Sequence, residues 1–309
     1  MSAQSRPVRP TPCLIDTDPG IDDALALLLA WSSPELAVEA LTTVAGNVPV
    51  TRCTENAWRL CELRRPVPMP VIAEGAASPL RRSLSTASHY HGQDGLGDAG
   101  GWPEPSMRRV TADALDVLLE AARRHGERLT LIALGPLTNV ARALERDPAA
   151  VRAIGRIVVM GGAVDVPGNT EADAEFNVHV DPDAARLVIE AALPVDLVPL
   201  DATRQAVLSR AELEAALARR PGRVAERIAA FTARGFREQG DDVHGLTLHD
   251  PLAVGVAFEP DFVTWEAVRL TVGPEGETRR ADGAPNCRIA RRVDRARFVA
   301  VFLDRLVGE

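Results

Sequence analysis

The feature that most constrains the fold is a regular alternation of short apolar runs with segments of helical periodicity. The apolar runs predict strands at Thr11–Ile15, Val38–Val44, Pro70–Ala73, Leu129–Leu134, Arg156–Met160 and Val195–Leu200, with a late strand at Ala267–Val272. The periodic segments predict helices at Asp22–Trp31, Val50–Leu63, Thr111–His125, Leu137–Glu145, Pro182–Ala192, Arg223–Glu238 and Arg295–Leu306. Strands that alternate with helices through short links are typical of parallel sheets. We therefore predict an α/β fold with a mostly parallel central sheet that is covered by helices on both faces.

Length and composition favour a single domain. No linker or repeat divides the 309 residues, so we predict a flexible tail at 1–10 followed by one domain at 11–309. No apolar run is long enough to cross a membrane, and the first residues lack the apolar core of a signal peptide. The net charge of −8 argues against nucleic acid as a partner, because proteins that bind it usually present a basic face. The four cysteines lack metal or redox spacing, which favours reduced thiols and a cytoplasmic location.

Polar segments directly follow several of the predicted strands. In open α/β sheets, ligands bind at the carboxyl ends of the strands, so these segments should meet in one crevice. They are Asp16–Asp23, Gly46-Asn47, Gly135–Asn139, Gly161-Gly162 and Asp201. We therefore predict that the active site lies at the carboxyl ends of the strands.

The densest of these segments carries four aspartates, Asp16, Asp18, Asp22 and Asp23, within eight residues. Two like charges about 4 Å apart repel by roughly 4 kcal/mol at an effective dielectric constant near 20. Four carboxylates in a half-buried pocket therefore need a cation or shared protons, and a hard divalent ion is the simplest partner. The alternative is that Asp22 or Asp23 caps the following helix, which explains one or two of the carboxylates but not four.

Other polar residues after strands have both a structural and a functional interpretation. Asn47 is either a turn residue or a ligand-binding amide. The residues Asn169, Glu175 and Asn177 form either an exposed polar loop or a set of donors and acceptors for the hydroxyls of a sugar. Both interpretations stay open at the level of the sequence.

Two histidine-bearing segments are also open to both interpretations. The pair His249-Asp250 begins an apolar helix, where Asp250 is either a helix cap or a distant metal ligand, and His249 is either solvated or a proton donor. The glycine-rich loop His89–Gly97 is not followed by a helix start, so it is a poor phosphate cradle. We interpret it as a mobile flap that brings His91 to the site.

Taken in order, these motifs resemble those of the calcium-dependent nucleoside hydrolases, the inosine-uridine preferring family. The resemblance rests on DTDPGIDDA at 16–24, TVAGN at 43–47, GPLTN at 135–139, VMGG at 159–162, AEFN at 174–177 and HDP at 249–251. It covers residues 11 to about 306, and the first motif is highly specific. The activity that it implies is hydrolysis of the N-glycosidic bond of ribonucleosides to ribose and free base, in purine or pyrimidine salvage.

The resemblance also implies a Ca²⁺ cofactor and a role for each site residue. The ion would be held by Asp18, Asp23, Asp250 and the backbone carbonyl of Leu134. The ribose hydroxyls would be bound by Asp22, Asn47, Asn169, Glu175 and Asn177. Asp18 would take the proton of a calcium-bound water, and Asp16 would support the cluster from behind. His249 is the first candidate for protonating the leaving base, and His91 is the second.

The chain departs from the family where the nucleobase would be recognised. Some members place tyrosines before the His-Asp-Pro motif, whereas residues 231–248 hold Phe231 and Phe236 and no tyrosine. The same stretch offers Arg234, Arg237 and His244 instead. The choice between purine and pyrimidine bases therefore stays open.

Two other classes of function compete with a nucleoside hydrolase. A calcium-dependent nucleoside or sugar sensor would keep Asp23 and Asp250 but would need neither base nor acid, and the presence of Asp18 and His249 favours an enzyme. A haloacid-dehalogenase-like phosphatase also places Asp-x-Asp after its first strand, but the later Asn and His-Asp-Pro motifs do not fit it. By analogy with relatives, we expect a homo-oligomer, a dimer or a tetramer, with a nucleoside substrate and no membrane partner.

Overall fold

The computed structural model describes residues 9–102, 112–239 and 245–307. Its strands are β1 (Thr11–Thr17), β2 (Leu36–Thr43), β3 (Val71–Glu74), β4 (Ala112–Asp113), β5 (Thr130–Ala133), β6 (Arg156–Met160), β7 (Val195–Val198), β8 (Val207–Leu208), β9 (Leu246–Thr247), β10 (Val263–Val268), β11 (Leu270–Val272), β12 (Thr278–Arg280) and β13 (Cys287–Val293). Its helices are α1 (Ile21–Trp31), α2 (Val50–Arg64), α3 (Ser88–His91), α4 (Ala114–His125), α5 (Thr138–Arg146), α6 (Pro148–Arg152), α7 (Phe176–Val180), α8 (Pro182–Ile189), α9 (Leu200–Thr203), α10 (Arg210–Arg219), α11 (Arg223–Glu238), α12 (His249–Phe258) and α13 (Arg295–Leu306). Residues 1–8 of the tail predicted at 1–10, the predicted helix start at Thr111 and His244 lie outside the described residues.

Nine strands of the described residues form one sheet, in the order β10-β13-β7-β6-β5-β1-β2-β3-β4. Neighbouring strands run parallel except for β10 and β13 at one edge. Two short antiparallel pairs, β8 with β9 and β11 with β12, lie apart from the sheet. The prediction of a mostly parallel central sheet is confirmed.

The core lies on both faces of this sheet. In β1, Leu14 packs into the hydrophobic cluster on one face and Ile15 into the cluster on the other, because successive side chains of a strand point to opposite sides. Residues of α1, α12 and α13 complete one cluster, and residues of α4, α5 and α8 complete the other. The prediction that helices cover both faces is also confirmed.

The strand order reverses at β1. From β1 the chain runs outward through β2, β3 and β4, and then returns to β5 on the other side of β1. A crevice at such a reversal is the usual ligand site of an open α/β sheet. The amide of Leu134 donates to the carbonyl of Asp16 at 2.8 Å, so the carboxyl ends of β1 and β5 lie side by side.

The late strand predicted at Ala267–Val272 is wrong in its extent. Two strands, β10 and β11, occupy this region and separate at Arg269. The sequence analysis also missed β13, which lies between β7 and β10. Arginines interrupt the apolar pattern of β13, and one of them, Arg288, pairs with Asp196 of β7 at 2.7 Å. In β13, an ion pair with β7 therefore accompanies apolar burial. The hydrophobic periodicity of the sequence does not indicate a strand of this kind.

The remaining bulk predictions concern membranes and thiols. Among the described residues, no helix has both the length and the apolar character that a membrane span requires. All four cysteines, Cys13, Cys53, Cys61 and Cys287, are buried and unpaired. Burial raises the pKa of Cys61 to about 12, so its thiol stays protonated.

Candidate active site

A cavity of about 780 Å³ opens at the carboxyl ends of the central strands. This size is typical of small-molecule sites. Nine of the residues proposed from the sequence line it: Asp22, Asn47, His91, Leu134, Asn169, Glu175, Asn177, His249 and Asp250. The other three, Asp16, Asp18 and Asp23, are fully buried. Segments that are far apart in the sequence thus meet at the carboxyl ends of the strands, as their positions directly after strands predicted.

Asp23 lies in the first turn of α1 and stabilises the turn that leaves β1. Its carboxylate accepts hydrogen bonds from the Thr17 hydroxyl at 2.5 Å and from the Gly20 amide at 3.0 Å. A carboxylate at this end of a helix is also favoured by the helix dipole. The helix-capping alternative therefore holds for Asp23. It does not account for the other aspartates.

Three carboxylates converge at the cavity. Oxygen atoms of Asp22, Asp23 and Asp250 lie within 4.8 Å of one another. Burial, and after it the charge of Asp23, raises the pKa of Asp22 to about 8. Burial and the charges of Asp22 and Asp23 also raise the pKa of Asp250 well above its usual range. The family resemblance assigns Asp22 to the sugar, whereas the structure brings it to the same point as two of the proposed metal ligands.

The cluster contains buried oxygen atoms without partners. Asp18 Oδ1 and Asp22 Oδ1 accept no hydrogen bond from the described residues. Burial and the charge of Asp23 raise the pKa of Asp18 as well. A nearby positive charge would relieve both the repulsion and the missing hydrogen bonds. Because every atom that could bind a metal here is a carboxylate oxygen, the cluster fits a hard divalent cation such as Ca²⁺.

Asp18 itself lies in a narrow socket between two turns. The Asn47 amide donates to Asp18 Oδ2 at 2.7 Å, and Asn47 Nδ2 donates to the Asp18 carbonyl at 3.2 Å. A Cβ atom at Gly46 or at Gly135 would collide with the Asp18 carboxylate. The glycines of the motifs after β2 and β5 therefore allow the backbone to close around Asp18.

The carbonyl of Leu134 is held by the residues of α7. It accepts a hydrogen bond from Asn177 Nδ2 at 2.6 Å. Glu175 is the N-cap of α7 and accepts the amides of Gly162, Asn177 and Val178 at 3.0, 2.9 and 3.1 Å. A carbonyl oxygen has two lone pairs, so Leu134 can bind a cation and keep its bond to Asn177.

The loop before α7 is only partly exposed. Glu175 and Asn177 are buried at the cavity, so the interpretation as an exposed polar loop is wrong for these two residues. Asn169 is exposed at the rim, where its Oδ1 accepts the Phe176 amide at 2.9 Å. The side-chain Nδ2 of Asn169 is thereby left to act as a donor toward the cavity.

Asp16 lies behind the cluster. Thr42 Oγ1 and Asn139 Nδ2 donate to Asp16 Oδ1 at 2.5 and 2.7 Å. Burial raises the pKa of Asp16 to about 6, although these two hydrogen bonds oppose the rise. Asn139 also donates to the Thr43 carbonyl at 2.9 Å and accepts the Ala76 amide at 2.9 Å. Asn139 thus ties the ends of β1, β2 and β3 together, a role that its position after β5 suggested only in outline.

His249 is the first residue of α12 and lines the cavity. Its Nδ1 lies 2.8 Å from the hydroxyl of Thr203 on α9. Burial lowers the pKa of His249 to about 4, and the charge of Arg204 acts in the same direction. His249 is only partly buried, so its ring contacts both Thr203 and the cavity.

His91 is held differently. The amide of Ile21, at the start of α1, donates to His91 Nδ1 at 3.0 Å. Because Nδ1 accepts this bond, the neutral ring carries its proton on Nε2. Burial lowers the pKa of His91 to about 3. The neutral ring is suited to hydrogen bonding more than to proton transfer.

The cavity also contains residues to which the sequence analysis gave no role. Arg204, Gln239 and Thr247 line it, and Gln239 Oε1 accepts both the amide and the hydroxyl of Thr247 at 3.1 Å. Arg204 donates to the carbonyls of Pro167 and Gly168 at 2.7 and 2.9 Å, just before Asn169. No spacing in the sequence relates these residues, because their partners belong to other loops.

Comparison with known proteins gives a consistent result. The family model of the inosine-uridine preferring nucleoside hydrolases matches residues 13–300. A pyrimidine-specific ribonucleoside hydrolase from Enterobacter sp. (strain 638) is 35% identical over 309 residues, which cover 96% of this chain and 97% of the relative.

Two solved structures are similar over nearly their whole length. A purine-preferring ribonucleoside hydrolase from Gardnerella vaginalis superposes with a TM-score of 0.90 at 30% identity, covering 96% of this chain and 98% of that chain. A plant nucleoside hydrolase superposes with a TM-score of 0.89 at 33% identity, covering 97% of this chain and 100% of that chain. These similarities favour the hydrolase over the phosphatase alternative.

Proposed function

We propose that the chain hydrolyses ribonucleosides to ribose and free base with a Ca²⁺ ion in the aspartate cluster. The premise is that the chain belongs to the inosine-uridine preferring nucleoside hydrolase family. One observation carries the proposal. Three carboxylates converge at a cavity, one of them and the neighbouring Asp18 have a buried oxygen atom without a partner, and an amide- and carboxylate-bearing loop lines the same cavity. Cleavage of a ribosyl C–N bond needs such an environment, because positive charge develops on the sugar.

We propose that Asp18, Asp23 and Asp250 hold the ion together with the carbonyl of Leu134. Asp23 and Asp250 have the strongest support, since they belong both to this set and to the converging carboxylates. The unpartnered Oδ1 supports Asp18. A bound Ca²⁺ ion would lower the pKa of a water molecule and hold it in place.

Asp18 is the proposed general base. Its carboxylate is fixed by the Asn47 amide through Oδ2, which leaves Oδ1 free to accept a proton from water. A base held in this way contributes about 10²–10⁴-fold to the rate. Asp16 Oδ1 is occupied by Thr42 and Asn139, so its proposed part is to fix the end of β1 through these two residues.

The ribose is the proposed occupant of the space next to the cluster. Asn47, Asn169 and Asn177 supply amide groups, while Asp22 and Glu175 supply carboxylates. Carboxylates that are already in place stabilise the positive charge of the transition state without reorganisation. Asp22 would contact both the ribose and the ion, because it faces the cavity and also approaches Asp23 and Asp250.

His249 is the proposed proton donor to the leaving base. It lines the cavity beside Asp250, and the hydrogen bond between its Nδ1 and Thr203 leaves Nε2 as the nitrogen that can donate. His91 is the second candidate: it also lines the cavity, and with Nδ1 accepting the Ile21 amide it carries its proton on Nε2. The preferred base stays open, since one relative is described as pyrimidine-specific and one solved structure as purine-preferring.

A substrate panel tests the proposed activity. The protein with added Ca²⁺ is incubated with uridine, cytidine, inosine, adenosine and p-nitrophenyl phosphate, and ribose, free base and phosphate are assayed. We expect ribose and an equal amount of base from at least one ribonucleoside. Release of phosphate alone would favour the phosphatase, and tight nucleoside binding without ribose release would favour the sensor. A part in nucleoside salvage, a cytoplasmic location and assembly into a dimer or tetramer stay predictions.

A further inference from the structure

One wall of the cavity comes from a segment that does not belong to the sheet. We call residues 85–98 the wall segment; its residues Ser85, Thr86, Ala87, His89, Tyr90 and His91 line the cavity. The segment contains the one-turn helix α3 and no strand. Its position therefore depends on contacts with neighbouring elements.

Arg234 of α11 makes the most extensive of these contacts. Its guanidinium donates to the carbonyl of His89 at 2.8 Å, to the carbonyl of Tyr90 at 3.1 Å and to Asp98 Oδ2 at 2.8 Å. The two carbonyls belong to α3, and the carbonyls at the end of a helix have no partner within it. The Arg234 side chain thus joins the helix and the later part of the wall segment with one group.

This contact requires an arginine. The guanidinium is planar and presents five N–H donors in a fixed arrangement, so it can serve three acceptors at once. Bonds from a charged donor are also stronger than neutral ones. A lysine would keep the charge but could not reproduce the same geometry.

The wall segment meets α11 at two further points. The Tyr90 hydroxyl lies against Gly235 of α11, 3.6 Å from the place that a Cβ atom of that residue would take. Gly97 has φ +75°, and a Cβ atom there would meet the carbonyl oxygen of Phe231 at 2.5 Å. Leu96 is fully buried in the hydrophobic core. These contacts hold the segment against α11, and His91 of this segment reaches the cavity as predicted.

The position of α3 affects the substrate side of the cavity through His91. The Tyr90 and His91 rings pack edge to face with centroids 4.8 Å apart. His91 Nδ1 in turn accepts the amide of Ile21, which precedes the cluster residues Asp22 and Asp23. The position of α3 therefore determines where His91 and Tyr90 stand relative to the cluster.

We propose that Arg234 is a positioning residue that holds the wall segment against α11 and so keeps His91 and Tyr90 in place for the nucleoside. The proposal rests on the proposed function, because it names a residue that shapes the substrate side of that site. Arg234 does not line the cavity, and it acts through the segment that does.

The test compares Arg234→Met with Arg237→Met. Arg237 lies three residues later on the same helix, does not line the cavity and donates to the Ala233 carbonyl of its own helix, so it is a matched control. Kinetics with the best ribonucleoside and amide hydrogen exchange are measured for both variants. We expect Arg234→Met to raise KM roughly tenfold or more with a smaller change in kcat, because binding is weakened in ground and transition states alike. Arg237→Met should match the wild type.

Hydrogen exchange separates positioning from general stability. The amides of Tyr90 and His91 bond to the Ala87 carbonyl and that of Gly92 to the Ser88 carbonyl, so exchange at these sites reports on α3. In Arg234→Met they should exchange roughly tenfold faster or more, while amides of β1 and β5 stay protected. Exchange and KM both equal to those of Arg237→Met would overturn the proposal.

Two further measurements keep the result decisive. In a His91→Ala background, Arg234→Met should raise KM much less than in the wild type, since its effect on KM depends on the position of the His91 side chain. If Arg234→Met does not fold, Arg234→Lys takes its place, with the same direction expected and the same outcomes overturning the proposal. If the wild type cleaves no ribonucleoside, the proposed function fails, and exchange at α3 alone still decides whether Arg234 holds the segment.

Discussion

Among single residues, Asp18 connects the local structure most directly with the proposed chemistry. Its Oδ2 is occupied by the Asn47 amide, whereas its buried Oδ1 has no partner among the described residues. We expect Asp18→Asn to lower kcat by about 10²-fold or more, because an amide cannot accept the proton of the attacking water. Steady-state turnover of the best ribonucleoside measures the effect, and a circular dichroism melt verifies folding. Near-normal turnover in a folded variant would remove Asp18 from the role of base.

His249 carries a second prediction at this scale. A natural base is a poor leaving group and needs a proton, whereas p-nitrophenol leaves readily as an anion. We expect His249→Ala to slow natural ribonucleosides by roughly 10²–10⁴-fold but to spare p-nitrophenyl riboside. Equal losses on both substrates would contradict the acid role, and a selective loss in His91→Ala would transfer that role to His91.

The individual site residues differ in how far the sequence predicts them. Asp18, Asp22 and Asp23 are evident, because they cluster directly after a strand and their charges demand a partner. The contacts of Asn139 and Arg234 are not, since each bonds to groups that are distant in the sequence: Asn139 to Asp16, and Arg234 to the carbonyls of α3. Such contacts depend on how loops from different strands meet, and no local pattern encodes them.

At the scale of elements, the apolar strands of the sheet were predictable, whereas the arginine-bearing strands and the two-residue strands were not. β1, β5 and β6 are buried on both faces and form continuous apolar runs. β12 and β13 carry arginines that bond to acidic residues, as Arg280 does to Asp165 and Glu266. Two-residue strands such as β8 and β9 are too short to show any periodicity.

The contact between α10 and α13 allows a prediction of pH-dependent stability. Glu212 forms a capping box with Ser209 and accepts bonds from Arg295 at 2.7 and 2.8 Å. The Arg295 hydrogen bond, which is the main cause, lowers the pKa of Glu212 to about 2 from 4.5. The charged form is thus favoured by folding, so the stabilisation is complete above pH 4.5 and is lost as the pH falls toward 2.

We therefore expect Glu212→Gln to reduce the free energy of unfolding at pH 7 by about 1 kcal/mol or less, because both side chains are partly exposed and such pairs are weak. The difference from the wild type should shrink as the pH falls from 4.5 to 3. Urea denaturation at several pH values measures it, with the exposed Glu214→Gln as control. A difference that is independent of pH, or equal in the two variants, would contradict the assignment.

At the scale of the whole molecule, the reversal of strand order at β1 makes the site possible. It brings the loops after β1, β2, β5 and β6 to one crevice, and α12 adds Asp250 from far along the chain. The mostly parallel fold and the place of this crevice follow from the alternation of strands and helices. The convergence of Asp22 with Asp23 and Asp250 does not, because it depends on how α12 packs against α1.

Calcium-dependent hydrolysis in that crevice is the central claim, and a metal titration tests it most directly. The protein is stripped with a strong chelator, freed of the chelator and titrated with Ca²⁺ while ribose release from its best ribonucleoside is followed. We predict that stripping abolishes hydrolysis and that activity returns with one Ca²⁺ per chain, whereas Asp250→Asn requires a much higher Ca²⁺ concentration. Full activity in stripped protein that elemental analysis finds free of metal would contradict the claim.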